Sequence, residues 1–256
     1  MNTSNTNNTS NTNNTSNTNN INLFNDGKIK FTQHGKNISI YFDTANYNNN
    51  YNNNYNNENL IKSFIKTKIL LGATITDNYQ VVKFIGASIK TLKQFKDETP
   101  FSKISINKIA NMVYNLSTQL NYLITKCSLC FLGYTPENII VIDNNKFICI
   151  SSEYLEQINN KRSTIPVNYH LSSNMFFMSP EIAKITTIPS ATHYKTTYYS
   201  LACLIIHTFN NDIDLLNIKD DVSLINVLKE FKETKLYWLL KRCLNETPED
   251  RCIIHI

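Results

Sequence analysis

Two asparagine-rich tracts decide where this chain can build a core. Within residues 1–20, the hexamer Asn-Thr-Ser-Asn-Thr-Asn occurs three times, beginning at Asn2, Asn8 and Asn14. The repeats hold no apolar side chain to offset the entropy of ordering, so the segment is predicted to be disordered. The second tract, Asn46–Asn57, sets Tyr47, Tyr51 and Tyr55 four residues apart. That period could line a helix face, but asparagine is a weak helix former, and the tract is predicted to be a flexible insertion. The chain has 256 residues, 41% of them hydrophobic. With both tracts set aside, it is still long enough for one sizeable domain or two small lobes.

Hydrophobic periodicity divides the remainder. From Lys28 to Asp43 polar and apolar residues alternate around Gly35, and Ile29, Phe31, Ile38, Ile40 and Phe42 suit a hairpin with one buried face. Glu58–Leu71 places Leu60, Ile61, Phe64, Ile65 and Ile69 at helical spacing. Two short strands are predicted at Ala73–Thr76 and Tyr79–Phe84, split by Asp77-Asn78. Asn107–Lys126 is predicted to be a long helix with Ile109, Met112, Val113, Leu116, Leu120 and Leu123 on one face. Strands follow at Ile139–Ile142 and Phe147–Ile150, joined by the turn residues Asp143-Asn144-Asn145-Lys146. After an irregular stretch to Met178, helices are predicted at Tyr194–Phe209 and Leu236–Leu244. Thr247-Pro248-Glu249-Asp250 then has the composition of a helix start.

Several function classes recede on composition. The formal net charge of +5 is spread along the chain with no basic stripe interleaved with aromatics, so no nucleic-acid partner is expected. The longest apolar run, Leu201–Phe209, is too short to span a bilayer, and no apolar run follows Met1. An intracellular, cytoplasmic and reducing setting is the expectation, with no membrane partner. Cys127 and Cys130 have zinc-ligand spacing, but no second pair accompanies them, and they read as buried thiols.

Four segments at the joints of this pattern resemble a known family. Thr135-Pro136-Glu137-Asn138-Ile139-Ile140 resembles the Lys-Pro-Glu-Asn-Ile-Leu segment of protein-kinase catalytic loops. Met178-Ser179-Pro180-Glu181 is similar to the Ala-Pro-Glu motif that closes a kinase activation segment. Tyr199-Ser200-Leu201-Ala202-Cys203-Leu204 is similar to the Tyr-Ser-Leu-Gly-Cys-Leu run of the family's central buried helix. Leu239–Leu244 with Thr247–Arg251 resembles the stretch before its last helix. In this order and at these separations, the four resemble the eukaryotic-type protein kinase superfamily over residues 107–256. Residues 73–106 are compatible, and 21–72 match only in strand pattern. The resemblance implies an α+β, two-lobed protein-kinase-like fold, with a small, reduced β-rich N-lobe at 21–85 that carries the insertion at 46–57. A mostly helical C-lobe at 86–256, truncated at the last helix, would follow.

The same resemblance implies that the chemistry is gone. Phosphoryl transfer requires the triphosphate and metal to be held and a base placed near the acceptor hydroxyl. Counting back from Asn138, the family's His-Arg-Asp falls on Phe131, Leu132 and Gly133, so the base position is glycine. The loop lysine falls on Thr135, and the metal-binding Asp of Asp-Phe-Gly falls on Ser152, with Tyr154 at its glycine and Glu153 a carboxylate one residue away. Asn138 remains as a vestigial metal or nucleotide contact, and one amide oxygen does not hold a magnesium ion that normally shares a carboxylate. No Gly-x-Gly loop is present; Gly35 reads as a turn residue. Tyr41 falls at the strand lysine, with Lys30 or Lys36 as alternatives, and Glu58 at the helix glutamate. The Asp that braces the catalytic loop corresponds to Thr197. A structural ion pair, Glu181 with Arg251, is the one charged element the resemblance would retain.

The chain therefore reads as an inactive protein kinase homologue, a pseudokinase, that works by binding or scaffolding a protein partner. No cofactor is expected beyond vestigial ATP binding. Two other readings stand beside it: an active Ser/Thr protein kinase with an atypical site, and an unrelated α+β interaction protein.

Overall fold

The computed structural model describes residues 19–22, 29–42, 51–76, 79–98, 104–171, 176–209, 226 and 228–253. The chain is α+β, with small antiparallel sheets and helices around one continuous hydrophobic core.

The first strands are β1 (Asn19–Asn22), β2 (Ile29–His34) and β3 (Asn37–Phe42). Helix α1 (Tyr51–Lys66) and strands β4 (Thr74–Thr76) and β5 (Val81–Ile85) follow. The strands form an antiparallel sheet in the order β1-β2-β3-β5-β4. Its register puts Phe31, Ile40, Val82 and Ile75 in one row, and Thr32, Ser39, Lys83 and Thr74 in the next. Phe31, Ile40 and Val82 are buried, while Lys83 is exposed, as the period of two requires. Gly35 sits in the β2–β3 turn at φ +61, the left-handed conformation glycine adopts without strain.

One expectation about the asparagine tracts fails here, and the other needs its boundary moved. Asn19 and Asn20, the last two residues of the segment predicted to be disordered, pair with Gln33 and Thr32 in β1. Residues 51–57 of the predicted insertion are the first turns of α1. Asparagine's weak helix propensity is overridden because Leu60, Ile61 and Phe64, all buried completely, fix the helix against α3, and the turns before them gain side-chain partners described below. The hexamer repeats before Asn19 lie outside the described residues.

Strand β6 (Ile89–Thr91) and helix α2 (Leu92–Asp97) come next. Thr91 caps α2 in a full capping box with Gln94. Helix α3 (Ile106–Tyr122) buries Ile109, Met112, Val113, Leu116 and Leu120, the face its periodicity predicted, and ends in a π-helical turn, Leu123–Cys127. Strand β7 (Leu129–Phe131) leads to the hairpin of β8 (Ile139–Ile142) and β9 (Lys146–Cys149). Asp143 and Asn144 turn it at φ 53 and 54, a left-handed pair suited to those residues. β6, β8 and β9 form one sheet.

The stretch read as irregular contains two further strands, β10 (Leu155–Gln157) on β7 and β11 (Thr164–Val167), which pairs with β12 (Ser190–His193). Three residues on one side of a ladder carry too little alternation to be seen in sequence. A short helix α4 (Pro180–Ala183) precedes α5 (Thr196–Phe209), which is buried on nearly every side, and α6 (Lys235–Cys243) packs against α5. Residues 248–250 make a single 3-10 turn, and the Thr247 side chain makes no capping bond. Among the described residues, no helix is long and apolar enough to cross a membrane.

Phe64 is fully buried between α1 and the rest of the core. Phe64→Ala should cost about 3–5 kcal/mol, read as a lower urea midpoint with an unchanged slope.

Candidate functional site

Three loops and one strap meet around the residues singled out in the sequence. The first loop, residues 132–138, leaves β7 and is fastened to α5. Tyr134 N–H donates to Ser200 Oγ at 2.7 Å, and the fully buried Tyr134 ring lies 5.1 Å from that of Phe131. Thr197, at the expected brace position, is buried beside Tyr134 and Cys130. Thr135 Oγ1 accepts from Asn138 N–H at 3.2 Å and caps the single turn Pro136–Asn138. Asn138 is buried, and its carbonyl accepts from Ile150 N–H at 3.0 Å, tying the start of β8 to the end of β9. Both residues thus have local structural work independent of any ligand.

Gly133 is where the arrangement departs most from an empty cleft. A Cβ added to it would lie 2.1 Å from Phe176 Cδ2 and 2.7 Å from Phe176 Cγ, well inside the 3.0 Å that real Cβ contacts respect. The Phe176 ring therefore occupies the volume a side chain at position 133 would need. It is held from the other side by Tyr154, ring to ring at 5.0 Å, and from behind by the bond from Phe177 N–H to Tyr134 O at 3.2 Å. Phe176 and Tyr154 are both buried. Position 133, where the resemblance implied a base, is thus bordered by aromatic packing.

The second loop, residues 150–155, carries Ser152. Its hydroxyl meets Asn57 Oδ1 on α1 at 2.5 Å, and Asn56 Nδ2 donates to Leu155 O at 2.8 Å. Glu153, the nearest carboxylate, is exposed. On the sheet, Tyr41 is half-exposed and lies across from Lys30 and Val81, while its neighbours Ile40 and Phe42 turn into the core. Lys30 and Lys36 are exposed. Glu58 pairs with Lys62 one turn along its own helix, a half-exposed i,i+4 contact worth a few tenths of a kcal/mol at most (~0.3–0.5). Its carboxylate is thus engaged within α1 and not by Lys30 or Lys36.

The strap between β5 and β6, Gly86–Ser88, is saturated by its own protein. Gly86 N–H donates to Lys36 O at 2.8 Å, and Ala87 and Ser88 N–H both donate to Asp143 Oδ1, at 2.6 and 3.1 Å. Gln33 Nε2 donates to Ala87 O at 2.9 Å and Asp143 N–H to Ser88 O at 3.0 Å. Gly86 lets the strap run close to the core: an added Cβ would meet Ile38 Cδ1 at 2.9 Å and Ile142 Cγ2 at 3.3 Å.

Glu181 and Arg251 form a two-pronged ion pair, Nη1 to Oε1 at 2.5 Å and Nη2 to Oε2 at 2.8 Å. The guanidinium is completely buried, donates also to the carbonyls of Asn245 and Glu246, and lies 5.1 Å from the Tyr199 ring centre. Burial pushes the Glu181 carboxyl up, but the Arg251 guanidinium outweighs it and holds the group below its ordinary range. Cys130 is buried and Cys127 half-buried; burial raises both thiols, so neither is a ready nucleophile or ligand. Among the described residues, no group of three His, Cys, Asp or Glu side chains could hold a metal ion.

Asn57, Phe176 and Asp143 carry much of this geometry, and sequence reasoning passed over all three as site residues. Only its spacing of three, four and seven residues from Leu60, Ile61 and Phe64, which puts it on their helix face, could have hinted at Asn57. No family model matches the chain, and no curated protein matches it.

Glu181→Ala leaves a buried guanidinium unpaired and should cost roughly 3–5 kcal/mol. The parent's pair contributes at neutral pH and is lost as pH falls through a folded value below 4.5. Acid titration of stability should therefore be shallower in the variant. Gly133→Ala should cost about 1–3 kcal/mol through overpacking, and Phe176→Ala in the same chain should recover part of that, a non-additivity read in urea unfolding.

Proposed function

We propose that this chain is a catalytically silent, protein-kinase-like domain that acts by binding a protein partner. The observation that carries this reading is the Phe176 ring in the space of a side chain at position 133, where the resemblance would put the catalytic base. A base there would require Phe176, and with it the Tyr154 contact, to move.

Support for the two-lobed arrangement comes from element order. A sheet crossed by one helix is followed by a strap, a long helix, a hairpin, a loop and further helices, the order that the four motifs imply. The Glu181–Arg251 pair joins the second and fourth of those motifs.

Nucleotide binding is disfavoured for three local reasons. A ligand reading the strap through its main chain would have to displace Asp143 and Gln33. Ser152 offers a hydroxyl already engaged by Asn57, where a metal would need a carboxylate. Ile38 and Ile142, both buried, close on Gly86 between the two sheets. With those roles gone, the remaining surfaces are free to serve a partner.

A titration with ATP, with and without magnesium, should leave the thermal midpoint unmoved. Binding at 100-fold excess over Kd would add about 2.7 kcal/mol, or several degrees in a chain of this size. No magnesium-dependent phosphate transfer to protein substrates is expected; robust transfer that Asn138→Ala abolishes would sink the proposal.

A further inference from the structure

We infer that Asn56 and Asn57 form a neutral latch that seats α1 on the 150–155 loop and does so without nucleotide, metal or any charged group. Asn57 is buried, and its Oδ1 accepts from the Ser152 hydroxyl at 2.5 Å. One residue earlier, Asn56 Nδ2 donates to Leu155 O at 2.8 Å, so two successive side chains of the helix grip two points of the same loop.

A second set of neutral bonds supports the loop from below. Gln119 on α3 is almost wholly buried and brackets the main chain of Cys149, its Nε2 donating to Cys149 O at 2.8 Å and its Oε1 accepting from Cys149 N–H at 3.0 Å. The same Nε2 donates to Ser63 Oγ on α1 at 3.1 Å, and the Ser63 hydroxyl donates in turn to Leu60 O at 2.5 Å. α1, α3 and the end of β9 are therefore joined through amides and hydroxyls, all in the interior, where such bonds are strong and an unpaired partner is costly.

The chemistry of the set determines how it behaves. None of Asn56, Asn57, Ser63, Gln119 or Ser152 titrates in the ordinary pH range, and none is screened by salt. A helix held this way keeps one position across pH, ionic strength and ligand conditions. A partner that recognises the exposed side of α1, where Tyr55 is half-exposed, would meet a surface that is always presented. The latch follows from geometry alone and does not depend on the kinase-like reading.

Hydrogen exchange followed peptide by peptide tests it on the full chain. In Asn57→Ala, amides of residues 51–66 should exchange about fivefold faster or more, while those of α5 stay within about twofold of the parent. Ser152→Ala removes only a hydroxyl and should reproduce the effect, and the double variant should exchange no faster than the single ones because both delete one bond. Parent rates at residues 51–66 should not change between low and high salt or on adding magnesium-ATP. Unchanged exchange in both single variants, or equal acceleration throughout the chain, overturns the latch. Protection of residues 51–66 by magnesium-ATP in the parent overturns its independence of ligand, and since that arm leaves the variant rates untouched, it bears separately on the proposed absence of nucleotide binding.

Discussion

The helical half of the molecule hangs from α5, a helix buried on nearly every side that still carries polar groups. A buried hydroxyl or carbonyl must find a partner or incur its full desolvation cost. On α5 the Thr208 hydroxyl donates back to Leu204 O of the same helix, while three other polar groups find partners on different segments. Ser200 Oγ accepts from Tyr134 N–H, Thr196 Oγ1 and Ser179 Oγ share a bond at 2.5 Å, and His207 O accepts from Lys96 Nζ at 2.8 Å. Tyr199 lies under the Arg251 guanidinium, and Phe209 packs on Phe231 at 4.5 Å. The apolar surface of the helix provides the driving force for burial, while its polar points decide which loop goes where.

The site grows out of that arrangement. Once Ser200 fixes Tyr134, the 132–138 loop has one path, and Phe177 N–H on Tyr134 O brings the 176–179 segment down on it. The Phe176 ring then falls into the space left by Gly133 and packs at a tilt against Tyr154. Where a phosphotransferase would keep charged groups around a hydrated cleft, this chain has close packing, hydroxyls and amides. Arg251 with Glu181 is a buried exception, and Asp143 at the strap is another charge. That pair keeps its charges because the guanidinium is bonded on every side, so breaking one partner costs far more than the pair contributes over an apolar replacement.

At three positions where the resemblance would place charged groups, the side chains are neutral. Thr135 caps a turn, Ser152 bonds α1, and Thr197 is buried beside Tyr134 and Cys130. Asp143 is a charge put to architectural use, since its single Oδ1 accepts from two N–H groups of the strap.

Much of the fold was legible in the amino-acid order because its signals are local. The buried face of α3, the alternation through β2 and β3, and the Asp143-Asn144 turn depend on periods of 3.6 and 2 and on backbone preferences within a few residues. The residue types at 133, 135 and 152, and the complementary charges at 181 and 251, were also plain. Tertiary structure alone decided the rest. Asn57 reaches Ser152 across 95 positions, and Asn56 reaches Leu155 across 99, from inside a tract whose composition argued against order. Phe176 fills the space at Gly133 from more than forty residues away along the chain. A low-complexity run reports only how weakly its residues prefer helix; the core formed by Leu60, Ile61 and Phe64 supplies the stabilisation that overrides that preference and sets where its asparagines point.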